Sequence, residues 1–218
     1  MLLRSRFSRI VRKAIDPVLL PKGFTRRGQT YMRPRERIWW VFNVGRSIWN
    51  TAEECRFYIC GGILVSEVLD TIYFHFPPLA LEKASTGDCI IHYNPETESG
   101  TWWTIRQGED ADAVDARIIE EIQRYIETKM MKFYDRFKCL EDVIESLVYL
   151  KDNVTKIPRA ILYVHPNSLF IPLYLSALYW LKGEQEKACA YLEEAFLSFQ
   201  HEWWQEHLSR LRERLGCG

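Results

Sequence analysis

The chain lacks an uninterrupted apolar stretch of the roughly 18 residues that a membrane-spanning helix requires. Its longest candidate, residues 161–181, is broken by His165-Pro166-Asn167 and by Pro172, so no membrane span is expected. Its six cysteines, Cys55, Cys60, Cys89, Cys139, Cys189 and Cys217, contain no C-x-x-C pair and no dense framework. Reduced thiols in a cytoplasmic protein are the expectation, with Cys217 on a frayed tail. Glycines are few and none sits in G-x-x-x-x-G-K-[ST] or in G-x-G-x-x-G between a strand and a helix, which excludes the common nucleotide loops. The segment His201-Glu202-Trp203-Trp204-Gln205 follows the zinc-protease helix only to its fifth position, where Gln205 stands in place of the second imidazole. His207 would fall on another helical face, and His75, His92 and His165 are isolated in sequence. No cofactor, no metal and no catalytic motif is therefore expected, and the chain does not read as an enzyme.

Net charge is absent overall but not locally. Residues 1–50 carry twelve Lys or Arg against only Asp16 and Glu36, so an excess of acids elsewhere balances them. Either this region is a basic face for nucleic acid or an acidic protein, or it faces the acidic helices of its own chain.

What is present is the composition of a globular protein: 218 residues, 47% apolar, 27% charged and 14% aromatic, with eight Trp. That length suits one large domain, or a domain of about 150 residues with an appendage. The N-terminal residues are Arg-rich and short of acids, a composition shared with mitochondrial transit peptides. However, Leu3, Phe7, Ile10, Val11, Ala14, Ile15 and Val18 fall on one helical face, which predicts a first helix.

The strongest strand signals are Arg37 to Ser47 and Arg56 to Val65, β-branched and aromatic runs flanking the polar Asn50-Thr51-Ala52-Glu53-Glu54. They predict an antiparallel pair at the centre of a sheet. Gly23 to Arg33 reads as the first strand, Asp88 to Tyr93 as a fourth, and Thr101 to Ile105 as a fifth. Gly61-Gly62 inside a strand predicts a bulge or the close approach of another backbone or a large ring. Phe74-His75-Phe76-Pro77-Pro78 reads as a surface loop, because Pro-Pro enforces extended backbone.

A helix followed by "GFTRRGQTYMR", an aromatic strand ending "NVGRS", then "FYICGGIL", "DCIIHYN" and "TWW" resembles the bacterial domain-of-unknown-function family 4304 over about residues 5–140. The resemblance implies a compact α+β domain and carries no catalytic residues. The chain departs from the family pattern at Cys60, before the glycine pair, and at His92.

Further on, Asp110 or Asp112 would cap a long helix whose apolar residues recur from Val114 to Phe137. A second series from Leu140 to Val148 ends at Asp152-Asn153. Beyond it, Pro158 would open a short helix closed by His165-Pro166-Asn167. The spacing of Leu175, Ser176, Tyr179, Gly183, Ala188, Leu192 and Ala195 resembles a single tetratricopeptide hairpin. A lone hairpin cannot build a peptide groove, so packing is its expected role.

The expected architecture is thus α+β: an antiparallel sheet of about five strands flanked by an N-terminal helix and a long helix (1–150), then a helical C-terminal extension (151–218). Consecutive strand residues alternate faces, so Trp39-Trp40 and Trp102-Trp103 each send one indole to either side. With Arg26, Arg33, Arg46 and His92 they form the candidate recognition surface. By the same alternation Cys89 and His92 should face opposite ways, which argues against a Cys–His pair. The leading functional expectation is a protein-binding module, with an immunity-type protein that neutralises a toxin as its most concrete version. The alternative is nucleic-acid binding through the basic first third and the sheet aromatics. A third, enzymatic reading would need Asp88, His92 and Arg46 to converge.

Overall fold

A computed structural model describes residues 3–73, 80–93, 102–153 and 169–218. The surface loop at 74–78, the turn at Asn94-Pro95-Glu96 and the short helix opened by Pro158 fall outside the described residues.

Helix α1 (Leu3–Leu19) buries Phe7, Ile10, Val11, Ala14, Ile15 and Val18, the face anticipated from their spacing. A short 3-10 turn and Gly23, with φ 85°, end it. The first strand of the sequence reading is in fact two, β1 (Thr25–Arg27) and β2 (Thr30–Arg35), paired antiparallel with Arg27 opposite Thr30. Gly28, at φ 62°, supplies the left-handed backbone of the two-residue turn. Composition concealed this reversal because the turn is embedded among good strand formers.

Strands β3 (Ile38–Arg46) and β4 (Glu54–Leu64) are the central pair. The 11-residue β4 reaches beyond one partner, so two short strands share its other edge. These are β5 (Ile91–Tyr93), opposite Gly61 to Ile63, and β6 (Trp103–Arg106), opposite Glu54 to Phe57. The result is a six-stranded, wholly antiparallel sheet.

Between them lies α2 (Ser66–Ile72), and after β6 comes α3 (Ala111–Tyr125), whose N-cap Asp110 accepts a hydrogen bond from the Ala113 amide. The helical run widens into a π turn at Ile126–Met130 and closes as α4 (Met131–Tyr134). Among the described residues four more helices follow: α5 (Leu140–Asn153), α6 (Phe170–Leu181), α7 (Gln185–Ser198) and α8 (Glu202–Leu215).

One face of the sheet, bearing Trp40, Phe42, Val44, Phe57, Ile59, Ile63, Trp103 and Ile105, is filled by α1 and by the helical run from α3 to α4. Phe7 meets Phe57 edge to face at 5.1 Å, and Trp40 stacks on Tyr134 at 5.2 Å. The Trp40 indole N–H donates to the Phe137 carbonyl at 2.7 Å, so even its polar atom is satisfied in the interior. Gly61 lets the helical run approach: a Cβ there would lie 2.4 Å from the Met130 methyl and 2.6 Å from the Tyr134 hydroxyl. Of the two readings of the glycine pair, close approach is the one realised.

A buried ion pair fixes α1 on α3. The Arg6 Nε donates to Asp115 at 2.7 Å, both side chains being almost fully excluded from solvent, and Arg9 reaches the other carboxylate oxygen at 2.6 Å. Arg6 also donates to the Arg106 carbonyl and pairs with Glu109, which supplies the additional hydrogen bonds that a desolvated pair needs.

The same core cluster continues into α5 and α6, whose residues from Ile171 to Leu178 are buried around the whole helix. Helices α6 and α7, joined through Gly183 at φ 77°, meet at Ser176, whose hydroxyl donates to the Ala188 carbonyl at 2.8 Å. His207 of α8 bonds the Ile72 carbonyl at 2.7 Å, and His201 caps α8, so both imidazoles of the failed zinc pattern have structural roles. Contrary to the expectation of six reduced thiols, Cys189 and Cys217 form a disulfide with a Cα separation of 5.3 Å. The left-handed cap at Gly216 and a hydrogen bond from Gln185 to the Leu215 carbonyl bring the chain end against α7, which no sequence spacing reveals. Closing a loop with a sequence separation of 28 contributes about 3–4 kcal/mol in the chain-entropy account.

Candidate recognition surface

The second face of the sheet is built differently. At one end Met32, Val41, Leu64, Ala84 and Cys89 form a small separate cluster beneath the segment that leads into β5, with Trp39 at its margin. Ser85 and Asp88 brace that segment as a capping box, the Ser85 amide donating to Asp88 at 2.8 Å. At the other end no helix among the described residues covers the strands. There Tyr58 lies over Gly45, where a Cβ would sit 2.2 Å from the ring, and Trp102 meets Tyr58 edge to face at 4.7 Å.

Beyond this aromatic step projects the loop from β3 to β4, carrying Ile48 at 88% and Trp49 at 83% exposure. The loop is braced from within. Asn50 accepts from the Arg56 amide at 2.7 Å and donates to its carbonyl at 3.0 Å, while Thr51 accepts from the amides of Glu53 and Glu54, both at 3.1 Å. Such side-chain bonds to backbone hold a turn without a ladder. Two large apolar side chains are therefore presented on an ordered tip. Glu54 beside it binds both Arg56 and Arg106, and the hydrogen bond from Arg56, followed by that from Arg106, holds its carboxyl below the usual carboxylate range.

The eight predicted surface residues are not brought together. Trp40 and Trp103, at 1% and 2% exposure, are core residues and are withdrawn from the recognition surface. Register decides this, because Trp40 stands opposite Ile63 and Trp103 opposite Phe57 on the helix-covered face. Trp102 is 38% exposed on the open face, whereas Trp39 is half-buried beside the small cluster. His92 is half-buried, opposite Gly62.

The arginines belong to the covered side. Arg26 pairs with Asp16 at 3.0 Å, Arg33 lies 5.0 Å over the Trp40 ring, and Arg46 lies 5.7 Å from the Phe7 ring. Arg6 and Arg9 on Asp115, Arg37 on Glu67 and Arg35 over Trp40 extend the pattern. Much of the basic first third thus answers acids and rings of its own chain, as one of the two readings of the charge asymmetry holds.

Cys89 and His92 do not follow strand alternation, because β5 begins only at Ile91. Cys89 packs against Gly62, the residue opposite His92, so both lie on the second face. Burial raises the Cys60 and Cys89 thiols above their ordinary value, which keeps them protonated and poorly nucleophilic. Arg46 and His92 lie opposite Phe57 and Gly62, about 17 Å apart along β4 and on opposite faces, so the enzymatic trio with Asp88 does not converge. Among the described residues no group of His, Cys, Asp and Glu could hold a metal ion, and no helix is long and apolar enough to cross a membrane.

Sequence reasoning missed Ile48 and Trp49. The available signal was their position, an apolar pair placed between Ser47 and Asn50 in a turn where nothing buries it.

No curated protein and no solved structure matches the chain. The family model described as "Domain of unknown function (DUF4304)" matches residues 15–134, which takes in the C-terminal end of α1, the whole sheet, the braced tip and the helical run to Tyr134. With more than half of its 218 residues matched, the chain belongs to the DUF4304 family.

Proposed function

We propose that the chain is a protein-binding module that seats Trp49 and Ile48 in a partner, with Trp102 and Tyr58 as the flanking platform. Its most concrete form is an immunity-type protein that neutralises a toxin. The observation that supports this reading is the braced tip. Tryptophan is the residue most enriched among binding hot spots, and an anchor already ordered in the free protein avoids part of the entropy cost of association. Burying one such anchor is worth about 2–4 kcal/mol of binding. Nucleic-acid binding has less support, because so many of the basic side chains it would use are engaged within the chain.

The test is affinity capture from native lysate with the wild-type chain and with the Ile48→Ser/Trp49→Ser variant, together with co-expression against the product of the neighbouring gene. The expected result is a stoichiometric protein partner held by the wild type and lost by the variant. Absence of any partner and of any protection from toxicity would overturn the reading. Retention of RNA or DNA, with a log-log salt slope of about 0.7–0.9 per phosphate, would replace it with the nucleic-acid alternative.

A further inference from the structure

On the side of the domain where the 3-10 turn after α1 faces the helical run, Pro21, Lys22, Gly23, Arg33, Glu127, Met131 and Asp135 line a solvent-open cleft of about 770 Å³. Its lining holds two cations, Lys22 and Arg33, and two anions, Glu127 and Asp135. Among the described residues none of the four has an ion-pair partner within 4 Å, although the chain elsewhere pairs its arginines readily. Opposite charges that share a hollow without closing on one another leave both signs available to a ligand.

The cleft is also positioned by two devices that ordinary packing does not need. Glu127 sits in the π turn Ile126–Met130, and Met131 is the first residue beyond it. A π turn inserts an extra residue into a helix, re-aims the side chains that follow and recurs at functional sites. Opposite it, the guanidinium groups of Arg33 and Arg35 lie 5.0 and 4.7 Å from the centre of the Trp40 ring, which holds Arg33 in the lining. Desolvation by burial, followed by the Arg35 charge, lowers the Arg33 pKa while Asp135 opposes that shift, so a ligand anion there would add to the relief that Asp135 supplies.

We propose that this cleft binds a small zwitterion of amino-acid to dipeptide size, its carboxylate on Arg33 and Lys22 and its ammonium on Glu127 and Asp135. The volume accommodates a dipeptide with its hydration. The site is separate from the Ile48–Trp49 tip and does not rest on the protein-binding reading.

The experiment is calorimetric titration of the full chain with L-alanyl-L-alanine, its N-acetyl derivative and its C-terminal amide. Arg33→Gln, Glu127→Gln and Asp135→Asn are each measured beside the wild type. The dipeptide should bind, and blocking either terminus should weaken binding about 10- to 100-fold, the worth of a hydrogen bond to a charged group. Arg33→Gln should abolish the penalty for amidation while leaving that for acetylation, and Glu127→Gln or Asp135→Asn should do the reverse. Glu127 and Asp135 have exposed side chains, so these variants fold and serve as the controls. No heat at ligand concentrations up to about 10 mM, where any site binding with about 2.7 kcal/mol or more is at least half occupied, would overturn the proposal. So would equal binding of the blocked peptides, or indifference to all three substitutions.

Discussion

The two faces of one sheet have had opposite fates. The face bearing Trp40, Phe57 and Trp103 is closed by α1 and by the helical run from α3 to α4, and its marginal arginines are paired with acids or stacked on rings. Among the described residues the other face, built from alternate residues of the same strands, is covered where the segment leading into β5 crosses it, and it leaves Tyr58 half-buried, Trp102 partly exposed and the Ile48–Trp49 tip in solvent. Aromatic content alone does not distinguish core from recognition surface. What distinguishes them is whether a helix is available to cover the ring, and here α1 and the helical run from α3 to α4 lie on the side of Trp40 and Trp103.

The comparison breaks most sharply at the tryptophans. Trp40→Ala should cost about 3–5 kcal/mol in chemical denaturation, because it opens a cavity between β3 and Tyr134 and orphans the Phe137 carbonyl. Trp102→Ala should cost only about 0.5–1.5 kcal/mol, the worth of one aromatic pair with Tyr58. Equal losses at the two positions would mean that the open face is covered after all.

A smaller effect is expected from adding volume. Gly61→Ala places a methyl group against Met130 and Tyr134 and should destabilise by about 1–3 kcal/mol, since the helical run must retreat from β4. A neutral outcome, read from the denaturation midpoint, would show that the approach of the helices is looser than the contact distances require.

The smallest change in stability belongs to the tip. The Ile48→Ser/Trp49→Ser variant should unfold within about 0.5 kcal/mol of the wild type, as surface substitutions do, while losing its partner. A larger loss would assign those side chains to folding.

Much of the architecture was legible before any coordinates. The amphipathic face of α1 and the Asp110 cap follow from periodicity and capping chemistry, and the β3–β4 pair follows from β-branched runs flanking a polar turn, because these signals are local. The turn at Gly28 was not legible, since a two-residue reversal at one left-handed glycine leaves little mark on a strand-like composition. The Cys189–Cys217 bond was hidden for a different reason: it depends on how α8 folds back on α7.

The candidate site was legible in kind but not in membership. Alternation alone required that one tryptophan of each pair face inward, but it could not say which. That choice belongs to the register of β3 and β6 on β4 and to the side on which α1 and α3 dock, both of which are long-range. Likewise the sequence by itself determined that the first third is basic. Only the tertiary structure decided that Asp115, Asp16 and Glu67 would answer so many of those charges, because partners up to 109 residues apart meet only when the helices close over the sheet.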